Sequence, residues 1–340
     1  MHILVTGGAG FIGSHTVVEL YHAGYSPIIL DNLSNSQQSM LEGIKQITGQ
    51  EFPFYQGDFA DSALIQKIAQ EYPFEGVIHF AAFKAVGESV QKPLKYYQNN
   101  VAGTVTFLQT LLDLGIPSFV FSSSCTVYGE PDQIPVTEDT PRKPATSPYG
   151  NTKSICEDII RDVVHSGMPL QAISLRYFNP VGAHPSGLIG ELPKGVPSNL
   201  VPFITQTAAG IRSKLTIFGD TYQTPDGTNI RDFIHVVDLA KAHVAAFAYL
   251  QNQNQTSLYE VFNLGTGKGN SVLELVKTFE EVNQLRLSYE IGAPRPGDVE
   301  KIYGNVDKAA KDLGWKTEKS LEDCLRDAWN WQQNLPVLES

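Results

Sequence analysis

Cysteine is scarce in this chain: three in 340 residues, Cys125, Cys156 and Cys324, widely spaced and with no CxxC pair. So odd and scattered a set excludes a disulfide framework, argues against a zinc site and fits a reducing compartment. The eight histidines show no HExxH or comparable ligand spacing, so no metal is expected. Positive charge is also short, with 25 Lys and Arg against 36 Asp and Glu and a formal charge of -11. With no basic run, neither nucleic acid nor an anionic membrane surface is expected as a partner. An anionic ligand would have to be caught by a few placed groups. Long apolar runs are missing too. Val244–Leu250 falls far short of a membrane span, and His2–Thr6 leads straight into glycines without the basic and apolar segments of a signal peptide. The expectation is a cytoplasmic globular protein.

Core-forming residues are plentiful. Hydrophobic residues make up 42% of the chain, with 17 Phe and 14 Tyr, which excludes disorder, collagen and coiled coil. At about 150 residues per domain the length suggests two domains. Short runs rich in β-branched and aromatic residues recur at Ile3–Val5, Pro27–Leu30, Phe52–Tyr55, Gly76–Phe80, Ser118–Phe121 and Ala172–Leu175. Being apolar on both faces, they read as buried parallel strands. Helical stretches near 12–24, 61–72, 93–114 and 149–166 lie between them. This alternation predicts an α/β fold, a Rossmann-like doubly wound parallel sheet, because parallel strands need crossover connections.

After residue 180 the texture changes. Pro180, Pro185, Pro193, Pro197 and Pro202 predict a long irregular segment without regular helix or sheet. Asp232–Val237 and Glu260–Leu264 read as strands, 238–250 and 272–283 as helices, and Ser271 with Glu274 as a capping box. The expected division is a dinucleotide-binding domain over 1–176 plus about 234–262, and a smaller mixed α/β substrate domain over about 177–233 plus 263–340.

Thr6-Gly7-Gly8-Ala9-Gly10-Phe11-Ile12-Gly13 follows the first strand and opens the first helix. Gly7 permits the tight turn, Gly10 lets backbone approach a pyrophosphate, and Gly13 lets helix and strand pack closely. The helix N-terminus, through Phe11 and Ile12, offers N–H donors to the phosphates. Asp31 ends the second strand, where a carboxylate accepts from ribose hydroxyls and repels a 2′-phosphate, so NAD is expected rather than NADP. Asp58 reads either as an adenine contact or as a loop carboxylate capping the next helix. Gly265–Gly269 is a second glycine-rich turn, read as structural.

Tyr149 and Lys153 share a helix face at i and i+4, so phenol and ammonium can point into one cleft. Lowering a phenol to about 7 takes roughly three pKa units, or about 4 kcal/mol, a shift expected from Lys153 together with a nicotinamide ring charge. Ser124 ends a strand at the carboxyl edge, where open α/β sheets bind ligands, and reads as either a hydrogen-bond donor to the reacting oxygen or a turn cap.

With these residues in place the chain resembles the extended short-chain dehydrogenase/reductases, through Gly7–Gly13, Ser124 and Tyr149-Gly-Asn-Thr-Lys153. Lys84–Pro93, Arg176-Tyr-Phe-Asn-Pro180, Val181–Gly187, Gly227–His235 and Trp329-Asn-Trp331 narrow the resemblance to the UDP-glucose 4-epimerase family, over nearly the whole chain. The resemblance implies that Tyr149 takes the sugar 4-OH proton while C4 hydride passes to a tightly held NAD, and that the resulting 4-keto sugar rotates before hydride returns. It implies further that Lys153 tunes Tyr149 and binds the nicotinamide ribose, and that Asn32, Phe59, Phe80, Lys84, Asn99 and Tyr177 line the cofactor. The UDP-sugar would be held by Asn179, Asn199, Leu200, Phe218, Arg231, Arg295 and Asp298, and a homodimer is implied. Two arginines suit a diphosphate, since a planar fork hydrogen-bonds it in bidentate fashion.

The sequence departs from the family at Ala82-Phe83, usually Gly-Leu, and at Cys125, more often Ala; neither removes a reactive group. A 4,6-dehydratase of the same family would carry Asp-Glu after the active-site hydroxyl residue, where this chain has Cys125-Thr126. A non-catalytic dinucleotide sensor would have no need of Ser124, Tyr149 and Lys153 together. Counting from Gly297-Asp298 places Ile302 at the position that borders the sugar's 2-substituent in the family. It reads as a gate of intermediate size against N-acetylated sugars or, alternatively, as a strand core residue.

Overall fold

The computed structural model describes residues 1–295 and 298–335. Gly297, from which Ile302 was counted, and residues 336–340 of the expected second domain lie outside the described residues. The first half alternates β1 (His2–Thr6), α1 (Phe11–His22), β2 (Ser26–Asp31), α2 (Ser39–Thr48), β3 (Phe54–Gln56), α3 (Ser62–Glu71) and β4 (Phe74–His79). Two short helices, α4 (Val86–Gln91) and α5 (Pro93–Tyr96), lead through a π-helical turn at Tyr97–Ala102 into α6 (Gly103–Asp113). Then come β5 (Ser118–Ser122), a 3-10 turn at Cys125–Tyr128, α7 (Pro148–His165) and β6 (Gln171–Tyr177). The second half contains β7 (Asn179–Val181), α8 (Leu200–Ala208), β8 (Leu215–Phe218), β9 (Ile230–Arg231), β10 (Phe233–His235) and α9 (Val236–Gln251). It continues with β11 (Leu258–Leu264), β12 (Asn270–Ser271), α10 (Val272–Val282), β13 (Tyr289–Gly292), β14 (Lys301–Ile302), α11 (Asp307–Asp312) and α12 (Leu321–Asn334).

Seven strands form one parallel sheet in the order β11-β6-β5-β4-β1-β2-β3. Apolar side chains on both faces of β1, β2, β4, β5 and β6 demand cover on both sides, and the crossover helices provide it. Val17, Val18 and Leu20 of α1, Ile44 of α2 and Leu239 and Phe247 of α9 pack on one face. Ile65 and Ile68 of α3, Phe107 and Leu111 of α6 and Ile160 of α7 pack on the other. The expected doubly wound sheet is present. A separate core joins Ile204 of α8, Ile217 of β8, Phe279 of α10 and Leu325 of α12. The capping box at Ser271 and Glu274 starts α10.

Three local readings change. The segment after residue 180 is not wholly irregular: Pro180 lies in β7, and Pro202 is the third residue of α8. Among the described residues β7 pairs only with β10, and first-turn N–H groups have no partner within the helix, so a missing donor costs little at either place. Val236 and Val237 open α9 instead of extending a strand, because His235 caps that helix, its Nδ1 accepting from Val237 N at 3.0 Å. The single helix read over 93–114 is interrupted by the π-turn, which turns Asn100 inward to accept from Phe83 N at 2.9 Å and donate to Phe83 O at 3.0 Å.

Burial of three imidazoles generates a pH dependence. His79 shares a 2.7 Å hydrogen bond with Thr6, and His15 and His243 donate to Phe11 O and Leu239 O at 2.7 and 2.8 Å. Burial lowers His15 and His79 to about 3 and His243 to about 4, from 6.5. As pH drops below the unfolded value, the unfolded chain takes up protons that these rings cannot. Stability then falls by about 1.4 kcal/mol per pH unit for each ring. Urea midpoints are therefore expected to drop from about pH 7 to about pH 5; a flat midpoint across that range would contradict the neutral buried state.

Candidate active site

The carboxyl ends of the parallel strands open into a cleft of about 750 Å³. At its floor β1 turns into α1 through Gly7, which sits at φ +71°. A Cβ on Gly13 would lie 2.2 Å from Gly7 O, and one on Gly10 3.1 Å from the same oxygen. No side chain caps α1, so its first-turn N–H groups face the cleft with a positive dipole behind them. This bare, close-packed turn is a cradle that fits the pyrophosphate of a dinucleotide. Asp31 is buried beside it; Oδ2 accepts from Ala9 N at 3.1 Å, and Oδ1 accepts from Leu33 N at 2.8 Å and Ser36 Oγ at 2.7 Å. The carboxylate braces the loop and still lines the cleft, as do Phe11, Ile12, Asn32, Phe59, Phe80, Lys84, Asn99 and Tyr177. Asp58 stays outside the cleft wall. It is exposed, accepting from Ala60 N at 2.9 Å and Asn32 Nδ2 at 3.4 Å, while Asp61 caps α3.

Tyr149 and Lys153 enter the cleft from α7. Pro148 occupies the first turn of that helix, and Ser147 caps it by accepting from Gly150 N at 3.2 Å. Both reactive side chains are buried. Lys153 Nζ donates to Ser122 O at 2.6 Å and stands 4.7 Å from the centre of the Phe121 ring. Burial lowers Lys153 to about 8, with Cys156 and Glu157 drawing it back up. Tyr177 OH shares a 2.5 Å bond with Ser122 Oγ, and burial pushes it up to about 12. Ser124 does cap the 3-10 turn, accepting from Thr126 N at 3.2 Å and Thr126 Oγ1 at 3.0 Å, and it lines the cleft as well. Burial raises Tyr149 well above the usual phenol value, Tyr177 adding to the rise and a hydrogen bond from Ser124 opposing it. Lys153 therefore does not by itself produce the lowering that the sequence reading asked of it together with a ring charge, because desolvation outweighs its field.

At the other end Arg231 is held by its own strand, Nη1 donating to Ile230 O at 2.9 Å, with Asp298 3.8 Å from Nη2. Burial lowers Arg231 and Asp298 raises it. Both line the cleft with Asn179, Asn199 and Ile302; Leu200, Phe218 and Arg295 do not. Leu200 packs toward the second core, and the Arg295 guanidinium stacks 3.9 Å over the Phe218 ring. Ile302 pairs with Arg231 in β14 and packs with Cys125 and Phe178, so it is at once a strand core residue and a cleft wall. The Gly265–Gly269 turn wraps the Asp232 carboxylate, which accepts from Thr266 N at 2.8 Å and Gly267 N at 3.1 Å; its role is structural.

The sequence reading passed over several charged residues of the cleft, Glu191 and Lys194 among them. Glu191 Oε1 accepts from Lys84 Nζ at 2.9 Å and Asn199 Nδ2 at 2.6 Å, and Lys194 Nζ reaches Leu33 O at 2.6 Å. Together they tie the 191–199 loop across the cleft to the dinucleotide side. Nothing local marks them, since Gly-Glu-Leu-Pro-Lys-Gly reads as an ordinary polar loop.

Comparison with known proteins adds three findings. Residues 4–328 match the family described as GDP-mannose 4,6 dehydratase. The chain is 52% identical over 336 residues to a UDP-glucose 4-epimerase of Haemophilus influenzae, covering 99% of this chain and 98% of that one. It superposes on the UDP-glucose-4-epimerase from Stenotrophomonas maltophila with bound NAD and formylated UDP-arabinopyranose at a TM-score of 0.95, with 46% identity over 98% of each chain. The enzyme from Bifidobacterium longum in complex with NAD+ and UDP is similar at a TM-score of 0.93 and 46% identity, again over 98% of each chain.

Proposed function

The chain belongs to the UDP-glucose 4-epimerase family, and from that membership we infer how its own residues perform the reaction. It is an isomerase that interconverts UDP-galactose and UDP-glucose, with NAD as its cofactor. When bound, NAD supplies a two-electron acceptor that takes hydride from sugar C4 and gives it back. The residues we propose to hold it are the Gly7–Gly13 turn, where added Cβ atoms would meet backbone, together with Asp31, Lys84, Asn99 and Tyr177.

The proton chemistry we propose belongs to Tyr149. Its phenolate oxygen takes the proton of the 4-OH as the C4–H bond breaks, leaving a 4-keto sugar, and returns that proton to the keto oxygen on the way back. Burial disfavours this phenolate, so positive charge must oppose it, and Lys153 together with the nicotinamide ring is the source we propose. Ser124 would hydrogen-bond the same sugar oxygen, and Arg231 would meet the diphosphate. The observation that carries this reading is Lys153 anchored on Ser122 O one helical turn from Tyr149, beside the dinucleotide cradle. Dehydration is disfavoured despite the family description, because Cys125 is a buried thiol pushed up to about 12 and not a carboxylate. We assign 1–176 with 234–262 to the cofactor and 177–233 with 263–340 to the UDP-sugar. In support, β11 completes the parallel sheet and α9 packs on its face, whereas α8, β8, α10 and α12 enclose a core of their own.

Three further readings are proposed. Ile302 gates the 2-substituent of the sugar, supported by its place in the cleft wall. A second copy of the chain covers α4–α6, supported by the exposure of Val86, Val90, Leu94 and Val105, with Leu94 at 82%. The location is cytoplasmic, supported by three free buried cysteines. Among the described residues no helix is long and apolar enough to cross a membrane.

Purified protein without added NAD is expected to convert UDP-galactose to UDP-glucose, and Tyr149→Phe to lower kcat by about 10²-fold or more while retaining substrate binding. Near-normal turnover in that variant would remove Tyr149 from the reaction. Wild type is expected to disfavour UDP-N-acetylglucosamine by about 5- to 150-fold in kcat/KM, and Ile302→Ser to narrow that gap. Equal wild-type rates on both sugars would dismiss the gate. Sedimentation should show a dimer that Leu94→Glu converts to monomer; a monomeric wild type would exclude the assembly.

A further inference from the structure

Behind the cleft wall lies a buried ion pair that the reaction as described does not use. Glu157, on α7 one turn beyond Lys153, is 2% exposed and Arg176, on β6 directly before Tyr177, is 6% exposed. Arg176 Nη2 donates to Glu157 Oε2 at 2.7 Å and Nε to Oε1 at 3.0 Å, a bidentate fork. Arg142 Nη1 adds a longer contact to Oε2 at 3.5 Å. The rest of the Arg176 fork is satisfied as well: Nη1 donates to Tyr128 OH at 3.1 Å and Glu138 O at 3.2 Å. Ser123 Oγ also donates to Glu157 Oε1, at 2.5 Å.

That last bond links the pair to the chemistry. Ser123 lies between the two residues that face the cleft. Ser122 gives its carbonyl to Lys153 and its hydroxyl to Tyr177, and Ser124 lines the cleft. Side chains alternate along an extended segment, so Ser123 points away from the cleft into the ion pair while its neighbours point toward it. α7, the end of β5 and β6, which carry Tyr149 and Lys153, the three serines, and Tyr177, thus meet on one carboxylate. Cutting the Ser123 bond would remove the segment's side-chain tie to α7, leaving Ser123 N on Leu175 O at 2.9 Å and the Glu157–Arg176 fork undisturbed.

We propose that Glu157, held by Arg176, is a positioning residue for proton transfer: through Ser123 it fixes Ser124 and the Ser122 carbonyl relative to Tyr149 and Lys153. This deepens the epimerase reading and rests on it. The two fail separately, because wild-type turnover tests that reading and the ratio of variant to wild type tests this one.

Ser123→Ala removes only the tie and leaves every other partner of Glu157 in place. The result expected is a fall in kcat of about tenfold, since misplacement by a full ångström costs up to about a hundredfold and loss of one tie shifts the segment by less. The KM for UDP-galactose, bound NAD content and thermal midpoint should remain close to wild type. Ser123→Cys, which keeps a weak donor of similar size, should fall between the two. A kcat within twofold of wild type in Ser123→Ala would overturn the proposal. So would a loss of turnover matched by equal losses of bound NAD and thermal stability, which marks a general loosening of the fold. If Ser123→Ala does not accumulate, Ser123→Cys alone decides, on the same split between kcat and KM.

Discussion

The first turn of the chain has no room for a side chain, and the arrangement of the cleft depends on that. With Gly13 stacked so closely over Gly7 O that an added carbon would sit 2.2 Å away, α1 lies hard against the end of β1. Its bare N-terminus is thereby fixed at the carboxyl edge of the sheet. The loops after β2, β4, β5 and β6 open on the same edge, and so Asp31, Phe80, Ser124 and Tyr177 share a cleft although they come from distant parts of the chain. A substitution at Gly13 that forced the helix outward would act on phosphate binding, on the Asp31 brace at Ala9 N and on the packing of α9 together. Parallel sheets concentrate ligand sites along such edges.

Electrostatically the cleft runs against the rest of the molecule. An acidic chain of net charge -11 places Lys84, Lys153 and Arg231 along its wall. Burial disfavours the charge on Lys153 and Arg231; Lys153 Nζ donates to Ser122 O with Cys156 and Glu157 opposing the shift, and Arg231 Nη1 donates to Ile230 O with Asp298 opposing it. An anion entering the cleft therefore meets Lys153 anchored on a carbonyl and Arg231 with Asp298 3.8 Å away, while Lys84 is already paired with Glu191 at 2.9 Å. Arg176, buried nearby, differs: its fork is filled by Glu157, which makes it a brace and leaves it no capacity for a ligand.

How much of this was legible in the sequence depended on the range over which each feature is encoded. The parallel strands, the glycine turn and the Tyr149–Lys153 spacing follow periods of two and of about three and a half residues, and the structure has those elements where the patterns put them. Features set by partners far along the chain were not legible. The π-turn inside 93–114 depends on Asn100 reaching Phe83 and Thr152, and Val236 turns helical because of a cap made by His235. Glu191 and Lys194 acquire meaning only when the chain folds back on Lys84 and Leu33. In the same way, Phe218 and Arg295 stack on each other outside the cleft wall, and neither residue's type forecasts that position.

The order of strands in the sheet also bears on how the chain is made. β6 is buried along its whole length and pairs on its outer side with β11, which the ribosome delivers only after β7 through α9 have been synthesised. Until Leu258–Leu264 emerge, the dinucleotide half presents an apolar strand with unpaired amides and carbonyls along one margin. The nascent chain must therefore hold that margin away from other chains while most of the second half is still being added. A truncation before Leu258 would retain the glycine turn, Asp31, Tyr149 and Lys153 and still display a sticky border, so these landmarks alone do not make a self-sufficient fragment.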